Sequence, residues 1–287
     1  MKKLMERKTT LVDSAHKFLE RRTELYNLVK NLPEYSASGA TLYPHDIISN
    51  NFPIIVELLQ ASGSSDFLRE KDIKTVLDVG GANGDLSFAF AGAGFETTLV
   101  DLSISYERSP LVASLINLLL GASVRVVDFS VDGYFNYTDL MEHTVNSGQF
   151  LHDSHSEVFD LVICFGLLYH LKNPFAFLES VSKMCSYCML GTWLMSYLPD
   201  NITRVRDMPL TYFLGPGELN NDASNYWVFT DSSFRRLAER TGFSIVCSVS
   251  AFGREDKISN PVDINYLERG FLLLRSGYKG ENEPLIK

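Results

Sequence analysis

From about residue 74 onward, short apolar runs alternate with longer stretches in which apolar residues recur every three or four positions. Runs of the first kind suit buried strands, and stretches of the second kind suit helices that bury one face. The pattern predicts seven strands: 74–79, 96–102, 123–129, 159–165, 187–194, 243–249 and 270–276. Helices fit between them at 84–92, 108–120, 173–184 and 231–241, each bounded by Gly, Pro or a capping residue such as Asn173 or Asp231. Strands alternating with helices in this way form βαβ units around a parallel sheet. Residues 1–70 instead read as two helices, LVDSAHKFLERRTELYNLVK and HDIISNNFPIIVELLQASG, and are expected to cap a sheet domain spanning 71–287. Two segments interrupt the alternation with polar residues, 146–157 and about 195–230, and insertions of that length inside compact domains are often functional loops.

The most specific segment is VLDVGGANGDLS, where a strand ending at Asp78 and Val79 runs into Gly80, Gly81, Ala82, Asn83 and Gly84 before a helix. Such a turn lets a ligand approach the backbone over the carboxyl ends of the strands. The dinucleotide fingerprint GxGxxG fails in either register: Ala82 and Asp85 stand where glycines are needed from Gly80, and counting from Gly81 fails as well. An acid at 78 suits a cationic amine, met directly or through water. Asp101, followed by Leu102 at the tip of the second strand, suits both hydroxyls of a ribose. Asp128 at the third tip suits the exocyclic amine of adenine, with Phe129 covering the ring. Any one of these acids could simply cap a helix or make a turn. Three in consecutive units beside a glycine loop point to a nucleoside that carries an amino acid and no pyrophosphate, which is S-adenosyl-L-methionine.

DVGGANG, followed by Asp101, Asp128 and CFGLLYHLKNP, resembles the class I S-adenosylmethionine-dependent methyltransferase superfamily over about residues 72–277. The resemblance implies a Rossmann-like α/β sheet of order 3-2-1-4-5-7-6 with the seventh strand antiparallel, and S-adenosyl-L-homocysteine as product. Ala82 departs from the superfamily pattern, which has a second glycine there. YHLKNP and TYFLGPGELNNDASNYWVF (211–229) further resemble a branch related to the bacterial enzymes that modify the wobble uridine of tRNA.

The loop after the fourth strand borders the point where the strand order would reverse, so Phe165 is expected at the cofactor, with Tyr169 and His170 at the reacting methyl. An imidazole near its ordinary pKa of about 6.5 can take a proton from a hydroxyl, a phenol or an amine; the alternative is a histidine that only hydrogen-bonds at a helix start. The 211–229 block supplies Glu218, Asn220, Asn221, Asn225, Tyr226 and Trp227 as a recognition surface, or else Asx residues that only satisfy turns. Tyr43 joins them as a substrate contact. Tyr26, Tyr35, Tyr212 and Phe213 are further aromatic lid candidates, with core packing the alternative for each.

A formal charge of -9, from 26 basic and 35 acidic residues, argues against a phosphate backbone as partner and favours a small-molecule acceptor, at oxygen first, with carbon and nitrogen as options. An RNA-modifying enzyme and a noncatalytic protein that keeps the nucleoside pocket stay as alternatives. No apolar run approaches the roughly 20 residues that span a bilayer, so no membrane partner is expected. The four cysteines, Cys164, Cys185, Cys188 and Cys247, suit a reducing cytoplasm and mostly fall in apolar runs. One CxxC without a second pair does not make a zinc site. His143, His152 and His155 with Asp153 read as a solvated cluster, and although Asp160 or the Asn-Asn-Asp at 220–222 could meet magnesium, no metal is predicted.

Overall fold

The computed structural model describes residues 2–103, 108–145, 157–251, 260–262 and 268–278, with the side chains of α1 described from Leu11 onward. His152, Asp153 and His155 lie outside the described residues. The fold is α/β with a mostly parallel central sheet, and the chain divides into two compact units. The first comprises Met1–Ser130 with Asn136–Ile163, and the second Val131–Phe135 with Cys164–Lys287.

In the first unit, β1 (Thr75–Val79) lies between β2 (Glu96–Asp101) and β4 (Phe159–Phe165), and β3 (Arg125–Asp128) follows β2, giving the order β3-β2-β1-β4 with every pairing parallel. These strands are almost wholly buried apolar runs, as a parallel sheet covered on both faces requires. The crossovers are α5 (Asp85–Gly92) and α6 (Ser109–Leu120), the latter opened by Pro110 in its first turn and closed by Gly121 at φ 60°. Upstream lie α1 (Lys2–Lys30), α2 (Pro33–Ser38), α3 (Ile47–Ala61) and the single turn α4 (Phe67–Glu70). The apolar stripe of α1, including Leu11, Ala15, Phe18, Leu25 and Val29, is buried, and α1 packs on α3, α5 and α6. Phe18 stacks on Phe88 of α5 with ring centroids 5.7 Å apart. The unit also holds α7 (Tyr137–Glu142), started by a capping box of Asn136 and Asp139.

In the second unit, β9 (Glu268–Ser276) runs antiparallel along β5 (Cys185–Leu194), and β8 (Phe243–Ala251) runs antiparallel to β9. These are the strands expected as fifth, seventh and sixth, in the expected 5-7-6 sequence of neighbours. Nine strands rather than seven occur among the described residues, because the polar insertion folds its own hairpin, β6 (Thr211–Phe213) and β7 (Trp227–Phe229). Three-residue strands are too short to show a period in sequence. The insertion also has its own apolar cluster of Met195, Val205, Leu214, Leu219 and Val228. Helices α8 (Pro174–Lys183), capped by Asn173, and α9 (Asp231–Arg240), capped by Thr230 with Ser233, complete the unit.

Candidate active site

The carboxyl rim of the first unit gathers the glycine turn and the acids. Asp101 and Asp128 are direct partners across β2 and β3, and Val79 pairs Val100 one position before Asp101, so the three tips lie along one edge. Asp101 Oδ2 accepts from the Ala82 amide at 2.8 Å, and Oδ1 accepts from the Leu102 amide at 2.7 Å. These two bonds orient the carboxylate at the strand tip. Asp128 Oδ1 accepts from the Ser103 amide at 2.8 Å, and the Phe129 amide donates to the Asp101 carbonyl. The half-buried Phe129 ring meets His143 edge-on at 5.0 Å.

The turn itself is tightly made. Gly80 and Gly84 have φ of 70° and 87°, and Ala82 stands in the left-handed region at φ 51°. A non-glycine residue pays roughly 1–2 kcal/mol for that conformation, and its bond to Asp101 offsets part of it. A Cβ on Gly81 would lie 2.5 Å from both Asp78 Oδ2 and Leu99 Cδ1, so only glycine lets the turn close over β1. Beneath it, Asp78 is buried and accepts from the Ser87 hydroxyl at 2.7 Å. Burial, more than the neighbouring Asp85, lifts its pKa to about 6. The amine contact expected of Asp78 would therefore be made by a carboxylate sealed below the turn. Asn83 is buried as well, with its side-chain oxygen unpartnered.

In the second unit, Tyr169 and His170 stand in a 3-10 turn, Leu168–His170, which follows Gly166 at φ 80°. His170 Nδ1 lies 3.1 Å from the Ser224 carbonyl and 3.0 Å from Ser224 Oγ. The Ser224 hydroxyl spends its one proton on Asp222 Oδ1 at 2.6 Å. Both groups facing Nδ1 are therefore acceptors, which places the proton on Nδ1 and leaves Nε2 as the lone-pair nitrogen. Desolvation lowers the imidazole pKa below 6.5, against the Ser224 carbonyl and the Asp222 charge, so the ring is neutral at pH 7. The Tyr169 ring lies 4.3 Å from His170 and 6.0 Å from Trp193, and the Arg269 guanidinium lies over Trp193 at 5.3 Å. Phe165 meets Phe271 edge-on at 5.2 Å, and both rings lie against Gly191.

The 211–229 block docks onto this turn through its backbone. The Tyr226 amide donates to the Tyr169 carbonyl and Trp227 Nε1 to the Leu171 carbonyl, each at 2.8 Å. Glu218 accepts from Tyr212 Oη and the Gly215 amide, Asn220 and Asn221 take φ of 56° and 52°, and Asn225 is buried with its amide donating to the Leu219 carbonyl. These residues thus build the loop. Tyr43 belongs to the first unit, where its carbonyl lies 3.4 Å from Arg22 and its ring meets His45. Tyr26, a lid candidate by composition, is buried.

The model of a methyltransferase domain family matches residues 49–248, more than two thirds of the chain. The chain belongs to that family. This methyltransferase uses S-adenosylmethionine, in keeping with the acids and turn on its first unit. No curated protein matches its sequence. Among solved structures it is similar to the N-terminal domain of EvdMO1, crystallised in the presence of SAH and D-fucose, at 14% identity over 82% of this chain and 84% of that one, with a TM-score of 0.50; the likeness is one of fold. Looser likenesses are the mitomycin 7-O-methyltransferase MmcR, at 13% identity, 95% and 68% coverage and a TM-score of 0.43. A Burkholderia thailandensis 1,6-didemethyltoxoflavin-N1-methyltransferase stands at 18%, 79% and 81%, and 0.44.

Sequence reasoning missed several of the methyltransferase's polar groups. Ser224, which together with Asp222 orients His170, carried a local signal in the Asp-x-Ser turn pattern. Arg22 and Asp85 form an ion pair at 2.7 Å across 63 positions of sequence, and nothing local announces it. Asp160, considered for magnesium, accepts from the Lys74 and Thr75 amides at the opposite end of its strand from the carboxyl rim. Among the described residues there is no group of three acids, histidines or cysteines able to hold a metal ion. Buried Cys185 and Cys188 have their thiol pKa values pushed up by burial and act as apolar packing.

Proposed function

We propose that this methyltransferase acts on a small-molecule acceptor through a hydroxyl group, with Asp101 and Asp128 meeting the nucleoside of its cofactor and His170 receiving the acceptor's proton. S-adenosylmethionine supplies a methyl group on a sulfonium, and the acceptor oxygen forms the new bond as carbon–sulfur bonding is lost, leaving S-adenosylhomocysteine and one proton. The observation that carries the acceptor side of this reading is the tautomer of His170. Its Nδ1 is held by Ser224, and its Nε2 lone pair is the basic atom of a neutral ring. A base poised this way contributes roughly a hundredfold or more to a proton-coupled step. Tyr169, with its ring against His170 and Trp193, would flank the acceptor. The net charge of -9 favours a small acceptor over RNA. Four free thiols fit a reducing cytoplasm.

The reading is tested by following S-adenosylhomocysteine release across panels of hydroxylated, amine and carbon-acid acceptors, with tRNA as a further arm. Turnover on hydroxylated compounds is the expected result. Turnover on tRNA alone would overturn the small-molecule reading in favour of the wobble-uridine resemblance. Cofactor binding without turnover on any acceptor would leave a binding protein.

A further inference from the structure

The side chain of Asn83 sits at the end of a chain of hydrogen bonds whose direction is fixed from its far end. Arg22 of α1 can only donate, and its Nε meets Asp85 Oδ2 at 2.7 Å while a terminal nitrogen meets the His45 carbonyl at 2.7 Å. Asp85, its side chain 1% exposed, is thereby held as an acceptor, and the Tyr26 hydroxyl gives it its one proton at 2.8 Å. Tyr26 Oη consequently offers only a lone pair to Asn83, whose Nδ2 donates to it at 3.1 Å. The amide cannot turn over without losing that bond. Its oxygen is left buried in the glycine turn as an acceptor with no partner, a state that costs roughly 1–3 kcal/mol unless a donor arrives.

We propose that Asn83 Oδ1 accepts a hydrogen bond from the α-ammonium of the cofactor, and that Tyr26 and Arg22 are positioning residues that aim it. The inference rests on reading the carboxyl rim as the cofactor site. Of that molecule's donors, the ribose hydroxyls and the adenine amine fall to Asp101 and Asp128 on the second and third strands, whereas Asn83 follows the first. The buried Asp78 carboxylate under Gly81 adds a negative field that favours a cation at this turn over a neutral donor. Helix α1 is in this way part of the cofactor site, although its residues stand about sixty positions upstream of the turn.

Calorimetry on the full chain with two ligands tests this: S-adenosylhomocysteine, and 5′-methylthioadenosine, which keeps the nucleoside and the sulfur but lacks the amino acid. Asn83→Ala and Tyr26→Phe should each weaken S-adenosylhomocysteine about tenfold and leave methylthioadenosine within about twofold. The double variant should be little weaker than either alone, because both changes disable one acceptor. Equal weakening of both ligands would mean that Tyr26 only holds the fold together and would overturn the proposal, as would unchanged binding of S-adenosylhomocysteine by either variant. Asp101→Ala serves as the separate control. If it leaves both ligands unaffected, the rim is not the cofactor site and the proposal falls with that reading; if it weakens both, a failure at Asn83 is a failure of this inference alone.

Discussion

The glycine turn of the first unit and the 211–229 loop of the second are both dense in amides and acids, yet they use them in opposite ways. In the loop, most polar groups meet near neighbours in sequence, although the buried Asn225 oxygen has no partner. Glu218 accepts from Tyr212 and Gly215, Asn220 and Asn221 serve as left-handed turn residues, and Asp222 is engaged by Ser224. In the turn, the Asn83 oxygen is left without a partner while its amide nitrogen is held by the Tyr26 hydroxyl of α1. Polar density in a sequence therefore does not separate a binding surface from a self-satisfied loop. What sets Asn83 apart is that its amide is held by partners far away in sequence, whereas that of Asn225 is held by Leu219 six positions before it.

His170 is where the loop exports something, since Asp222 and Ser224 fix its tautomer. His170→Ala should lower turnover by a hundredfold or more while calorimetry shows cofactor affinity unchanged. A variant with near-normal turnover would reduce the loop to scaffolding. The pH profile sharpens the point. The imidazole pKa is lowered by burial, so the basic form persists below pH 6.5 and the acid limb of kcat should fall at a pH under that value. Ser224→Ala, which removes one of the two acceptors facing Nδ1, should move that limb. A limb that stays in place would detach His170 from the loop.

Within the turn, Asp78 is the residue whose stability and function pull apart. Its folded pKa of about 6 lies above the ordinary 3.8, so the folded state binds the extra proton and loses stability as pH rises from about 4 to about 6. Asp78→Asn removes the need to ionise a buried group and should stabilise the protein by on the order of 3 kcal/mol above pH 6, with the gain vanishing near pH 4. Thermal melts at pH 4.5 and 7.5 read the difference. The variant should also bind S-adenosylhomocysteine more weakly, because the field that favours an ammonium is gone. Destabilisation at pH 7.5 would show that the carboxylate is compensated by a partner other than Ser87. Next in size, Asp101→Ala should weaken cofactor binding about tenfold or more, a charge-assisted hydrogen bond being worth roughly 1.5–3 kcal/mol. Unchanged affinity would erase the contrast between turn and loop.

Much of the fold was written in local pattern. All seven expected strands are present, with ends shifted by no more than a few residues, because runs such as KTVLDV and FDLVICF are buried on both faces and carry their signal continuously. The three acids and the glycine turn were legible for a related reason: each lies at the end of a continuous apolar run, which marks the carboxyl end of a strand. What escaped was whatever depends on pairing at a distance. Nothing local in Tyr26 sets it apart from any other aromatic, and it is the contacts of Asp85 and Asn83 with its hydroxyl that do so. Helix α1 was expected to cap the sheet domain, but no periodicity could say that one of its arginines would meet the first residue of α5.

The smallest effect is expected at Asn220, and it bears directly on whether the loop recognises an acceptor or only holds its own shape. Asn at φ 56° already tolerates the left-handed region better than most residues, and glycine populates it with no steric cost. Asn220→Gly should therefore change stability by no more than about 0.5 kcal/mol, since relief of backbone strain and the greater freedom of the unfolded chain nearly cancel. If the side chain does only turn work, KM for the acceptor stays within about twofold and kcat is unchanged. A rise in KM of about tenfold with kcat preserved would mean that the Asn220 amide touches the acceptor, because losing a contact made equally in the ground and transition states raises KM alone. That outcome would return the loop to the recognition role that its composition first suggested.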